Sequence, residues 1–103
     1  MADGASAPVR LKVLVVDDEV PAREELAFLL GEDPRVETVR TATNAAHALK
    51  LLNDQLFDVV FCDIKMPGLD GVELARVVSR FTHRPQVVFV TAYDDHAVDA
   101  FDL

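Results

Sequence analysis

Three short apolar runs, each followed at once by a polar residue capable of chemistry, constrain this chain more than any other feature. Leu11 to Val16 is closed by Asp17 and Asp18, Val59 to Cys62 by Asp63, and Val87 to Val90 by Thr91. Such short, β-branched runs suit strands covered on both faces. The stretch Val36 to Ala42 has the same residue types but carries Glu37 and Arg40, which predicts a weaker strand at a sheet edge.

Helical segments lie between these runs. Pro21 suits the first turn of a helix with Ala22, Leu26, Leu29 and Leu30 on one stripe and Gly31 at its end. Thr43 or Asn44 can cap a second helix whose Ala45, Ala48, Leu49 and Leu52 share a face. Met66-Pro67-Gly68 is a loop, after which Asp70 can cap a helix carrying Leu74, Val78 and Phe81. Asp94 or Asp95 starts a fourth, with Ala97, Ala100 and Phe101 inward. Strands alternating with helices predict an α/β fold, a doubly wound parallel sheet joined by right-handed crossovers. The expected organisation is a mobile tail over residues 1–10 and one domain over 11–103.

Acidic residues outnumber basic ones by 18 to 10, for a net charge of −8. The cations are scattered, which argues against nucleic-acid binding by this chain alone. Cys62 is the only cysteine, so it forms no internal disulfide, and its apolar setting suits a reducing, cytoplasmic compartment. Residues 1–10 lack the pattern of a signal peptide, and no apolar run approaches the ~20 residues needed to cross a bilayer. His47, His83 and His96 have no ligand spacing and read as surface residues.

In a parallel α/β sheet the residues just after the strands meet at one edge, where ligands bind. If the Asp17 and Asp63 strands are neighbours, their ends stand ~5 Å apart, which brings Asp17, Asp18 and Asp63 within reach of one ion. A few carboxylates with water suit Mg²⁺ better than Ca²⁺. With the charge neutralised, a carboxylate can attack phosphorus and form an acyl phosphate. Asp63, on the central strand, is the best nucleophile, Asp17 and Asp18 are metal holders, and Thr91 offers a hydroxyl to a phosphoryl oxygen. An aspartate at a strand end is also an ordinary turn or cap residue, so the weight lies on three of them together.

The segments Val13-Leu14-Val15-Val16-Asp17-Asp18-Glu19, Asp63-Ile64-Lys65-Met66-Pro67-Gly68-Leu69-Asp70-Gly71 and Val90-Thr91-Ala92 resemble, in order and spacing, the signature stretches of response-regulator receiver domains. The resemblance covers almost all of residues 11–103. It implies a flavodoxin-like sheet, a phosphoacceptor at Asp63, Mg²⁺ bound by Asp17, Asp18, Asp63 and the backbone carbonyl of Lys65, and a switch hydroxyl on Thr91. The implied donor is a phosphohistidine on a sensor histidine kinase. The receiver would catalyse only its own phosphorylation and dephosphorylation, and so is not otherwise an enzyme. The run from Thr91 to Phe101 is also similar to receivers that precede a LytTR-type DNA-binding output domain.

The family's lysine after strand five has no counterpart before Leu103, and the fifth strand and helix are missing with it, so the expectation is a truncated receiver. That would leave the Val87–Val90 strand as an open edge and apolar surface uncovered beside the first helix, which predicts a homodimer, with element exchange one route to it. Two competing readings stay open. One is a receiver-like dimerisation module that is never phosphorylated. The other is a haloacid-dehalogenase-like phosphatase with Asp17 as nucleophile, which leaves Asp63 and its Met-Pro-Gly loop unexplained.

Overall fold

The computed structural model describes residues 10–64 and 71–90. The elements run β1 (Leu11–Val16), α1 (Val20–Gly31), β2 (Val36–Ala42), α2 (Ala45–Asp54), β3 (Val59–Asp63), α3 (Gly71–Val78) and β4 (Gln86–Val90). All strand pairs are parallel, in the order β2-β1-β3-β4. The β2 strand is an outer strand, as its charged residues predict, and β4 is the other outer strand among the described residues. All but Arg10 of the expected tail over residues 1–10, the Met66-Pro67-Gly68 loop, the Asp70 cap and the fourth helix lie outside the described residues.

Strand alternation divides the core. On one face Leu14, Val16, Val60 and Cys62 pack with Ala45, Ala48, Leu51 and Leu52 of α2 and Leu74 and Val78 of α3. Val13 and Val15 are equally buried and point to the other face, on the side where α1 packs against β1 and β2. The central strand β1 is therefore covered on both sides, which is why its run lacks polar alternation. The β4 strand differs from the buried strand expected of its sequence. Val88 and Val90, in register with Phe61 and Asp63, remain 40% and 38% exposed. The reason is placement, since α1 sits over the β1–β2 side of the sheet and β4 lies at its opposite margin.

The α1 stripe is also rotated from the expected one. Ala22 and Leu29 are exposed, and the inward positions are Arg23, Leu26, Ala27 and Leu30. These residues repeat at helical spacing, but their first member is an arginine, so an apolar-only reading selects the neighbouring row. The α2 helix follows its pattern more closely. Asn44 is the cap, its Oδ1 accepting from the His47 N–H at 2.8 Å, while the exposed His47 returns the bond by accepting the Thr43 N–H on Nδ1 at 3.3 Å. At the N-terminal edge of the sheet Asp58 joins three strands. Its Oδ2 accepts from the Lys12 N–H at 2.8 Å, its N–H donates to Lys12 O at 2.8 Å, and its carbonyl accepts from Gln86 N–H at 2.9 Å.

Candidate functional site

The register decides which side chains meet. Val16 of β1 is paired with Cys62 of β3, so the next residues, Asp17 and Asp63, leave the sheet side by side at its C-terminal edge. One carboxylate oxygen from each of Asp17, Asp18 and Asp63 lies within 4.8 Å of the other two. Asp17 and Asp63 are half-buried and Asp18 is exposed, so the cluster has a floor and an open side. Cys62, one residue before Asp63, points to the opposite face and is fully buried in the α2–α3 core.

The turn after β1 holds Asp17 firmly. Its N–H donates to Ala42 O at 3.1 Å, which ties it to the end of β2. Its Oδ1 accepts from the Glu19 N–H at 2.9 Å, a short side-chain turn that leads into α1. Its carbonyl accepts from Arg23 Nη1 at 2.9 Å. On the other side of the cluster the Gly71 N–H donates to Ile64 O at 2.9 Å, which sets the start of α3 against the end of β3.

Three carboxylates at this separation repel. A pair 4.8 Å apart stands about 3 to 4 kcal/mol uphill at an effective dielectric of 20, and under about 1 kcal/mol in water. A divalent cation removes the conflict. An all-oxygen donor set with few protein ligands, open to water on one side, fits a hard ion that keeps part of its hydration shell.

Of the residues singled out from the sequence, Asp17, Asp18 and Asp63 are brought together. Lys65 and Thr91 lie outside the described residues, as does His96. His83 is exposed in the stretch before β4 and His47, in the first turn of α2, accepts the Thr43 N–H, so neither belongs to the cluster. Two residues that sequence reasoning passed over belong to the site's frame, Arg23 and Gly71. The signal for Arg23 was its spacing of three, four and seven from Leu26, Ala27 and Leu30. For Gly71 the sequence offered only its place at a helix start.

Comparison with known proteins places these features in a family context. The family model of the response regulator receiver domain matches residues 13–103. The chain is 44% identical over 93 residues to the transcriptional regulatory protein YpdB of Escherichia coli K12, a span covering 90% of this chain and 38% of YpdB. The chain thus spans less than half the length of the curated relatives it matches. Among solved structures, the response regulatory domain of MrkE from Klebsiella pneumoniae matches with a TM-score of 0.75 at 41% identity, covering 89% of this chain and 75% of that one. The signal receiver domain of the response regulator NarL from Mycobacterium tuberculosis matches with a TM-score of 0.78 at 33% identity, covering 88% and 73%.

Proposed function

Because the chain belongs to the response regulator receiver domain family, we propose that it accepts a phosphoryl group on Asp63 from the phosphohistidine of a sensor histidine kinase, with Mg²⁺ bound at the acidic cluster. The observation that carries this reading is the approach of the Asp17, Asp18 and Asp63 carboxylates to within 4.8 Å at the end of two adjacent parallel strands. Asp63 supplies the nucleophile. One of its carboxylate oxygens forms a bond to phosphorus as the phosphorus–nitrogen bond of the donor breaks, and the electron pair of that bond leaves on the imidazole. Asp17, Asp18 and Asp63 hold the cation, with the backbone carbonyl of Lys65 as a further ligand. When bound, the ion offsets the negative charge that otherwise keeps an anionic phosphoryl group away from three carboxylates. Thr91 donates its hydroxyl to a phosphoryl oxygen and so connects the chemistry to a conformational switch. Water then reverses the modification slowly.

In this reading residues 11–103 are the receiver portion of a longer cytoplasmic regulator, preceded by a short tail. YpdB is a transcriptional regulatory protein, and by that similarity the output is DNA binding by a separate domain. The acidic balance of this chain fits that division of labour, because a net charge of −8 disfavours contact with phosphate backbones. The exposed Val88 and Val90 margin and the exposed Val20, Phe28 and Leu29 of α1 supply apolar surface for a homodimer.

The test is incubation with Mg²⁺ and acetyl phosphate or phosphoramidate, followed by mass spectrometry for a hydroxylamine-labile adduct and its location. A label at Asp63, absent in Asp63→Asn and after chelation, is the expected result. A label at Asp17 would replace the reading with a phosphatase, and no label would leave a binding module.

A further inference from the structure

The α1 helix contains a buried charge. Arg23 is 9% exposed and is the one buried polar or charged residue among the described residues. A guanidinium taken out of water is destabilising unless it is hydrogen-bonded, so its place in the core calls for a partner. The partner is the backbone carbonyl of Asp17, six residues earlier, which accepts from Nη1 at 2.9 Å.

This bond falls on the residue whose aim matters most to the acidic cluster. With its N–H on Ala42 O, its Oδ1 on the Glu19 N–H and its carbonyl on Arg23, Asp17 is held at three polar atoms, and Oδ2 is the oxygen these bonds leave to a ligand. A hydrogen bond to the Asp17 carbonyl also fixes the plane of the Asp17–Asp18 peptide. That plane sets the direction in which the exposed Asp18 side chain departs. Among the described residues the Asp18 side chain makes no hydrogen bond, so its approach to Asp17 and Asp63 depends on the backbone beneath it.

We propose that Arg23 is a positioning residue for the divalent cation, acting through the Asp17 carbonyl to point the carboxylates of Asp17 and Asp18 at a common centre. The inference rests on the cation-binding reading of the cluster. Charge and position make opposite predictions here. A guanidinium near a cation site repels the ion, so if only its charge mattered, removing it would tighten binding. If it positions the ligands, removing it weakens binding, by about tenfold on the scale usual for residues that orient metal ligands.

The experiment measures the Mg²⁺ dissociation constant by titration calorimetry, and Mn²⁺ binding by the loss of the free-ion resonance, for the unsubstituted chain, Arg23→Met, Arg23→Lys and Asp58→Ala. Thermal melts without cation establish that each variant is folded. Asp58→Ala serves as a destabilised variant whose lesion lies at the opposite edge of the sheet. The expected result is a roughly tenfold weaker Mg²⁺ and Mn²⁺ affinity in Arg23→Met, a smaller loss in Arg23→Lys, and none in Asp58→Ala. If Arg23→Met does not fold, Arg23→Lys decides, because it keeps the charge and stem while losing the planar fork. Equal or tighter binding in a folded Arg23 variant would overturn the role given to Arg23 and leave the cation site standing. No binding of either ion by the unsubstituted chain would overturn the cation site, and the role of Arg23 with it.

Discussion

Gly71, at the start of α3, lies so close to the backbone of Asp63 that a Cβ built on it would overlap the Asp63 carbonyl oxygen and press on the Ile64 α-carbon. The neighbour that would have to give way is main chain, not the flexible end of a side chain. The Gly71 N–H bond to Ile64 O at 2.9 Å draws the two segments together from the same side. Gly71→Ala is therefore expected to displace the end of β3 and destabilise the fold by about 1 to 3 kcal/mol, the range for overpacking. Urea denaturation measures the stability, and the yield of label at Asp63 reports the displacement. A variant with unchanged stability and unchanged labelling would show that the contact relaxes freely.

The acidic cluster predicts an exchange of stability between two conditions. Without divalent cations, Asp18→Asn relieves repulsion among Asp17, Asp18 and Asp63 and is expected to raise stability by up to about 1 kcal/mol, given that Asp18 is exposed. With Mg²⁺ at about 100 times its dissociation constant, the unsubstituted chain gains about 2.7 kcal/mol, and the variant gains less because its affinity is lower. Paired melts with chelator and with Mg²⁺ check both halves. Equal Mg²⁺-induced shifts in the two proteins would contradict the prediction.

Asn44 caps α2 directly beside the point where Ala42 O receives the Asp17 N–H. Asn44→Ala is expected to lower stability by about 1 kcal/mol, since it leaves the His47 N–H without its acceptor, while Asn44→Ser retains most of the cap. Chemical denaturation of both variants makes the comparison. Equal losses in the two would mean that the side-chain oxygen is not the source of the effect.

Among the described residues, the turn between α1 and β2 contains the one clear pH handle. The Arg35 guanidinium and backbone N–H both donate to Asp33, with bonds of 2.7 to 3.0 Å, and hold its carboxyl down from the ordinary 3.8 to about 2. Because the folded value is depressed, the associated stability is present above about pH 3.8 and is lost as pH falls through about 2. Arg35 is exposed and Asp33 is only partly covered, so the contribution is small and weakened by salt. Acid titrations of stability for the unsubstituted chain and Asp33→Asn are expected to diverge above that window and converge at its lower end. Parallel curves across the window would remove Asp33 as their source.

Local chemistry, readable from residue order, determined the element types, the edge position of β2, a cap at Thr43 or Asn44 and the strand-end placement of Asp17, Asp18 and Asp63; the structure selects Asn44. Each of these depends on alternation, capping or a charged residue within a few positions. Tertiary structure alone decided the pairing of Val16 with Cys62, which sets Asp17 beside Asp63, and the exposure of Val88 and Val90, because neighbours distant in the chain fix both. It also decided that Arg23 is buried and that Gly71 has no room for a side chain. A hydropathy pattern scores a residue by its own polarity, whereas Arg23 is tolerated in its buried position because the Asp17 carbonyl oxygen, in the turn that precedes α1, lies within reach of its guanidinium.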